Sequence, residues 1–145
     1  HHGALGALGV EFEHLTGPII GAAMAVHREL GPGLLESTYE ACLTFELTRR
    51  GLAYERQKIL PVNYHGIQIE TGYRVDLIVN RTVVVELKSI ERFERIHTAQ
   101  IMTYLKLTGC PVGLLINFNV RLLADGIRRV VSSSVGSEGS VVKVL

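Results

Sequence analysis

The segment Thr82 to Lys88, TVVVELK, constrains this chain more than any other. Its run of valines has the character of a central strand buried on both faces. Yet it ends in a carboxylate and an ammonium. Side chains along a strand alternate between faces, so Glu86 and Lys88 point one way and Leu87 the other. Burying either charge alone is costly, and the two need polar company. A second apolar run, Val75 to Val79, is broken in the same manner by Asp76. Its neighbours Val75, Leu77, Ile78 and Val79 offer no reason for a carboxylate except such company.

Register decides whether the two acidic residues meet. Asp76 and Glu86 face each other only if their strands pair in an even-sum register, which requires a three-residue loop Asn80 to Thr82 or a bulge. A strict two-residue Asn80-Arg81 turn would set Asp76 opposite Val85 and turn it away from Glu86. The expectation is the longer loop or the bulge.

The surrounding pattern supplies a frame. A first helix is expected from about Thr16, capped by that residue with Pro18 in its first turn, and ended by Gly31-Pro32-Gly33. A second, about Leu35 to Arg50, carries the stripe Leu35, Tyr39, Cys42, Leu43 and Leu47 and stops at Gly51. The period then changes to two. Strands are expected at 57–64 and 67–79, joined by a tight turn at His65-Gly66 and bent at Gly72. The strand 82–88 follows. Ser89 is expected to cap a helix of about Ile90 to Thr108, ended by Gly109. A strand at 112–118 and a short β-like IRRVV after an Asp125-Gly126 turn complete the order α-α-β-β-β-α-β. This is a single-domain α/β sandwich with a central mixed sheet.

Length and composition agree. At 145 residues the chain has the size of one domain, and 47% hydrophobic with 20% charged residues reads as globular. Residues 1–14 read as a tag or linker remnant with an N-terminal tail, and 15–131 as the folded domain. Residues 132–145 read as a flexible C-terminal tail. The longest apolar stretch, Ile19 to Val26, is far short of the ~20 residues that span a bilayer. No membrane association is expected. Cys42 and Cys110 form no CxxC and have no His pair at zinc-like spacing, so they read as small buried residues. That usage fits a cytoplasmic protein. No glycine-rich phosphate loop is present, which argues against an NTPase. The net charge of +1 is low for a duplex-binding protein, so nucleic-acid contact would rest on a local basic patch or a partner.

Two carboxylates on one face suit a hard cation, and oxygen donors without soft ones favour Mg²⁺ or Mn²⁺ over zinc. The next helix adds His97, Gln100 and Tyr104 at i, i+3 and i+7, on one helical face. Gln100 and Tyr104 are placed to hold Lys88 and a phosphate. The plainer readings are a surface ion pair for Glu86 and Lys88, a surface histidine for His97, and a core aromatic with a hydroxyl at the rim for Tyr104.

The ordered set Asp76, Glu86-x-Lys88 and Gln100-Ile-Met-Thr-Tyr104 resembles the PD-(D/E)XK nuclease superfamily, with the QxxxY element of its RecB-like members. The element order resembles that superfamily's restriction-endonuclease-like core. Gly33-Leu-Leu-Glu36-Ser-Thr-Tyr39 resembles the signature of the small bacterial GxxExxY proteins. VHRELGPG, GYRVDLIV, VVVELKSI, HTAQIMTYLKLTG and GLLINFN are similar to that family too. The resemblance covers roughly Leu15 to Val131. It departs at Val75, where the superfamily's name has proline.

The resemblance implies a divalent-metal-dependent nuclease hydrolysing phosphodiester bonds of DNA or RNA. Asp76 and Glu86 would be metal ligands, with the Leu87 carbonyl a third and Glu36 an extra acidic residue from the upstream helix. Lys88 would be the catalytic lysine. Gln100 would orient it or a water, and Tyr104 would contact phosphate. The alternative is a catalytically inactive nuclease-fold module for binding or assembly. A homodimer or a protein partner is compatible with either, and the roles of His27 and His97 stay open.

Overall fold

The computed structural model describes residues 12–70, 72–134 and 140–144. The notional tag and linker at 1–9 lie outside them. Among the described residues, three α-helices, α1 (Glu13–Leu30), α2 (Glu36–Arg49) and α3 (Arg95–Thr108), enclose a six-stranded mixed sheet ordered β1-β4-β5-β6-β7-β8. Its strands are β1 (Tyr54–Ile59), β4 (Arg74–Val79), β5 (Val83–Lys88), β6 (Val112–Asn117), β7 (Ile127–Ser134) and β8 (Ser140–Val144). The β5–β6 pair is parallel and all other neighbours run antiparallel. A separate two-stranded ribbon, β2 (Val62–Tyr64) and β3 (Ile67–Ile69), turns at His65-Gly66, both with positive φ.

The central strands β4, β5 and β6 are apolar on both faces because helices cover both. Leu77, Val79, Val83, Val85, Leu114 and Ile116 pack on one face with Ile19, Ala22, Ala23, Val26 and Leu43 of α1 and α2. Ile78, Val84, Leu115 and Val130 pack on the other with Ile101, Tyr104 and Leu105 of α3. Gly113 of β6 brings α3 close. A Cβ there would stand 2.7 Å from Ile101 Cδ1, so a larger residue would force the Ile101 side chain to shift.

Several local expectations differ from the structure. The first helix begins at Glu13, so Thr16 is no cap; its hydroxyl donates back to the Phe12 carbonyl at 3.2 Å, and Pro18 lies inside the helix. Ser89 is no cap either. Its hydroxyl donates to the Leu34 carbonyl at 2.7 Å, and the helix starts at Arg95 with Glu94 and His97 forming a capping box. The expected strand at 57–64 starts earlier and divides at Leu60-Pro61 into β1 and β2, because proline supplies no ladder donor. Its return partner breaks around Gly72, as the sequence suggested. Asp125-Gly126 belongs to a 3₁₀ turn, Leu123–Gly126. The stretch read as a flexible tail carries strand instead. Ser132–Ser134 extend β7, and β8 pairs with it from Val130↔Val144 to Ser134↔Ser140. Residues 135–139 lie outside the described residues. Cys110 is buried, Cys42 is half-buried, and both are free thiols.

Candidate active site

The β4–β5 hairpin carries the three residues that opened the sequence argument. It pairs Val79↔Val83, Ile78↔Val84 and Leu77↔Val85. The sum is even, and the loop is Asn80 to Thr82, with Asn80 and Arg81 both at positive φ. Asp76 and Glu86 therefore stand opposite one another, as the register argument required.

The backbone ladder stops there and the carboxylates replace it. Asp76 Oδ2 accepts the Leu87 N–H at 2.8 Å, and Glu86 Oε1 accepts the Asp76 N–H at 2.9 Å. Each acid is thus tied to the other's strand. The N–H and C=O of one strand residue point to the same edge. Lys88 C=O accepts from Phe118 N–H on the β6 side at 2.9 Å, so the alternation turns the Leu87 carbonyl toward β4 and Asp76.

Electrostatics mark the pair as strained. Glu86 is 4% exposed. Burial, and then the charge of Asp76, push its carboxyl up to about 8, against 4.5 for an ordinary glutamate. Burial also raises Asp76, opposed by its bonds from Leu87 N–H and the Gln57 amide. Two such acids cannot both ionise comfortably unless a cation joins them. Neither Lys88 nor any other residue forms a salt bridge with either carboxylate among the described residues.

Lys88 Nζ donates to Gln100 Oε1 of α3 at 3.2 Å. Tyr104, one turn further, donates its hydroxyl to the Arg74 carbonyl at 3.4 Å. Burial, then the charges of Glu86 and Asp76, push its phenol up to about 12, so it stays a hydroxyl. The expected Gln/Tyr face of α3 therefore overlies the acidic pair. His97 does not join it: its Nδ1 accepts the Glu94 N–H at 2.8 Å and caps the helix. His27 is structural too, donating from Nε2 to the Val120 carbonyl at 2.7 Å.

Glu36 sits in the first turn of α2. Its Oε2 accepts the Ser89 N–H at 3.3 Å, and its charge adds to the pressure on Glu86. Tyr39, its partner in the same motif, is fully buried and stacks on Phe118 at 4.3 Å. Its hydroxyl donates to the Gly31 carbonyl and accepts the Leu34 N–H. That clip shapes the loop whose Leu34 carbonyl receives Ser89. The described residues bring Asp76 and Glu86 together; no group of three or more His, Cys, Asp or Glu among them has metal-holding geometry.

Three residues escaped the sequence reading. Glu40, one turn after Glu36, is 8% exposed and accepts two N–H bonds from Arg56 at 3.0 and 3.2 Å. Gln57 Nε2 donates to Glu40 Oε1 at 2.6 Å and to Asp76 Oδ1 at 3.2 Å. Asn117, 2% exposed, pairs with Lys88 across β5–β6 and exchanges bonds with both backbone groups of Ile90. It fixes the chain as it leaves Lys88. An asparagine ending the apolar run VGLLIN was the available signal.

The donor set fits a hard divalent cation. It comprises two carboxylates, one of them the buried Glu86 without a cationic partner, and a carbonyl facing the same gap. Fold and site together define a restriction-endonuclease-like α/β protein with an acidic-acidic-lysine centre. Residues 13–130 match the family model of the PD-(D/E)XK nuclease superfamily, and the chain belongs to that superfamily. No curated protein and no solved structure matches it significantly.

Proposed function

We propose that this chain is a divalent-metal-dependent nuclease, hydrolysing phosphodiester bonds of DNA or RNA with Mg²⁺ or Mn²⁺. The observation that carries the proposal is the break in the β4–β5 ladder at Asp76 and Glu86, with Lys88 and Gln100 beside it. Asp76, Glu86 and the Leu87 carbonyl hold the cation. A cation bound there polarises a phosphoryl oxygen and lowers the pKa of a water.

The remaining work falls to the chain's own groups. Gln100 accepts one of the three N–H donors of Lys88 and aims the other two. Lys88 then orients the attacking water and stabilises charge on the phosphoryl oxygens as it builds. Tyr104, a hydroxyl at every physiological pH, donates to a phosphate oxygen in place of the Arg74 carbonyl. Glu36 supplies negative charge at the rim of the site. The QxxxY element thus acts through its geometry over Glu86. The GxxExxY element acts mainly by building the loop that meets Ser89.

The test offers single- and double-stranded DNA and RNA to the purified chain with Mg²⁺, with Mn²⁺ and with chelator. Cleavage of at least one substrate is expected, dependent on the cation and lost in Glu86→Ala. Tight nucleic-acid binding without cleavage under any condition would favour the inactive binding module instead.

A further inference from the structure

Gln57 sits in the middle of β1 with a φ of 49°, a conformation that a non-glycine residue adopts only at a cost of about 1–3 kcal/mol. The flanking pairs Arg56↔Leu77 and Lys58↔Val75 keep one register, so no residue has been inserted. Only the Gln57–Asp76 step is missing from it. Asn80 N–H donates to the Ala53 carbonyl, so even-numbered residues of β4 turn their backbone toward β1. In an unbroken ladder the Asp76 N–H would meet Gln57. The inverted φ removes that partner, and the N–H goes to Glu86 Oε1 instead.

The Gln57 side chain is equally committed. Its amide bridges Glu40 and Asp76, both acceptors, at 2.6 and 3.2 Å. Glu40 is itself held by the Arg56 guanidinium and buried in α2. A strained backbone, a carboxylate locked by an ion pair and one amide thus converge on a single oxygen of Asp76.

We infer that Gln57 is a positioning residue for the cation-binding carboxylates, anchored by the Glu40–Arg56 pair. Its amide fixes the Asp76 rotamer, and its inverted backbone releases the Asp76 N–H to hold Glu86. This inference rests on the metal site proposed above and extends it to α2 and β1. Hydrogen-bond partners of ligating carboxylates commonly change metal affinity 10- to 100-fold when removed.

Gln57→Gly separates the two roles of the residue. Glycine accepts the positive φ without strain, so the fold is kept, but the amide is gone. Calorimetric titration with Mn²⁺ alone and thermal unfolding in chelator are measured on the wild type and the variant. The expected result is Mn²⁺ affinity lowered about 10-fold or more, with an unfolding temperature equal to or above the wild type's. Unchanged affinity in the variant, or affinity and unfolding temperature falling together, overturns the positioning role while leaving the metal site standing. A wild type that takes up no Mn²⁺ overturns both.

Discussion

The two ends of the β4–β5 hairpin are made from similar apolar sequence and behave in opposite ways. Toward its turn, Leu77, Ile78 and Val79 pair in register with Val85, Val84 and Val83, and both faces are sealed by helices. Toward its open end, one residue beyond Leu77↔Val85, side-chain oxygens take over the backbone donors of Asp76 and Leu87. The closed end gains stability from burial. The open end gives some of it up to hold two carboxylates within reach of each other. Stability and chemistry are thus divided along one hairpin at a single step of its ladder.

The largest expected effect breaks the open end alone. Asp76→Asn keeps the shape of the side chain but removes a ligand charge, and nuclease activity should fall by roughly a thousandfold or more. The Asn oxygen can keep the Leu87 N–H bond while the Gln57 bond is given up; with the repulsion on Glu86 also removed, the chelated form should lose at most about 1 kcal/mol. Steady-state cleavage and denaturant unfolding check the two halves. A large loss of stability would mean that Asp76 is chiefly structural.

Leu77→Ala breaks the closed end. Leu77 is fully buried against α1 and α2, and its truncation should cost about 2–5 kcal/mol of folding free energy. The protein that remains folded should retain its Mn²⁺ affinity. Urea unfolding beside Mn²⁺ titration measures both, and a parallel loss of affinity would show that the two ends are not separable.

A smaller effect comes from titration. The folded carboxyl of Glu86 sits near 8 and the unfolded one near 4.5. Between these values the native state holds the extra proton, so this contribution to stability is complete below the unfolded value and is lost as pH rises through about 8. Asp76, Lys88 and Glu36 are the charged groups acting on it. In chelator, the unfolding temperature should therefore decline between about pH 4.5 and about pH 8 and level off above that. The decline should be weaker in Glu86→Gln, which has no proton to lose. Metal binding runs the other way. A ligating carboxylate must be deprotonated, so Mn²⁺ affinity should rise with pH up to about 8. A flat profile in both experiments would contradict the buried, unpaired state of Glu86.

Much of the open end was legible in the sequence because its signals are local. A carboxylate inside VDLIV and an ExK at the end of TVVVELK singled out the pair, and the three-residue loop that their meeting requires is the one found. What could not be read depends on contacts between distant segments. Glu40 looks like an ordinary helix-surface acid, and Gln57 like an exposed strand residue. Their roles follow from α2 lying against β1 and from a backbone inversion that no residue type announces. Ser89 and Thr16 satisfied the local rule for caps, but the Leu34 carbonyl captured the first, and a helix starting at Glu13 enclosed the second. The serine-rich tail had a linker's composition, yet pairing with a later segment makes part of it strand.

Lys88 offers the most direct test, because it stands at the open end without being a cation ligand. Single-turnover cleavage by Lys88→Ala, at Mg²⁺ concentrations that saturate it, isolates the chemical step. If the open end is a nuclease centre, the variant binds Mg²⁺ as the wild type does and cleaves at least about a hundredfold more slowly. Cleavage at the wild-type rate by Lys88→Ala would contradict the account.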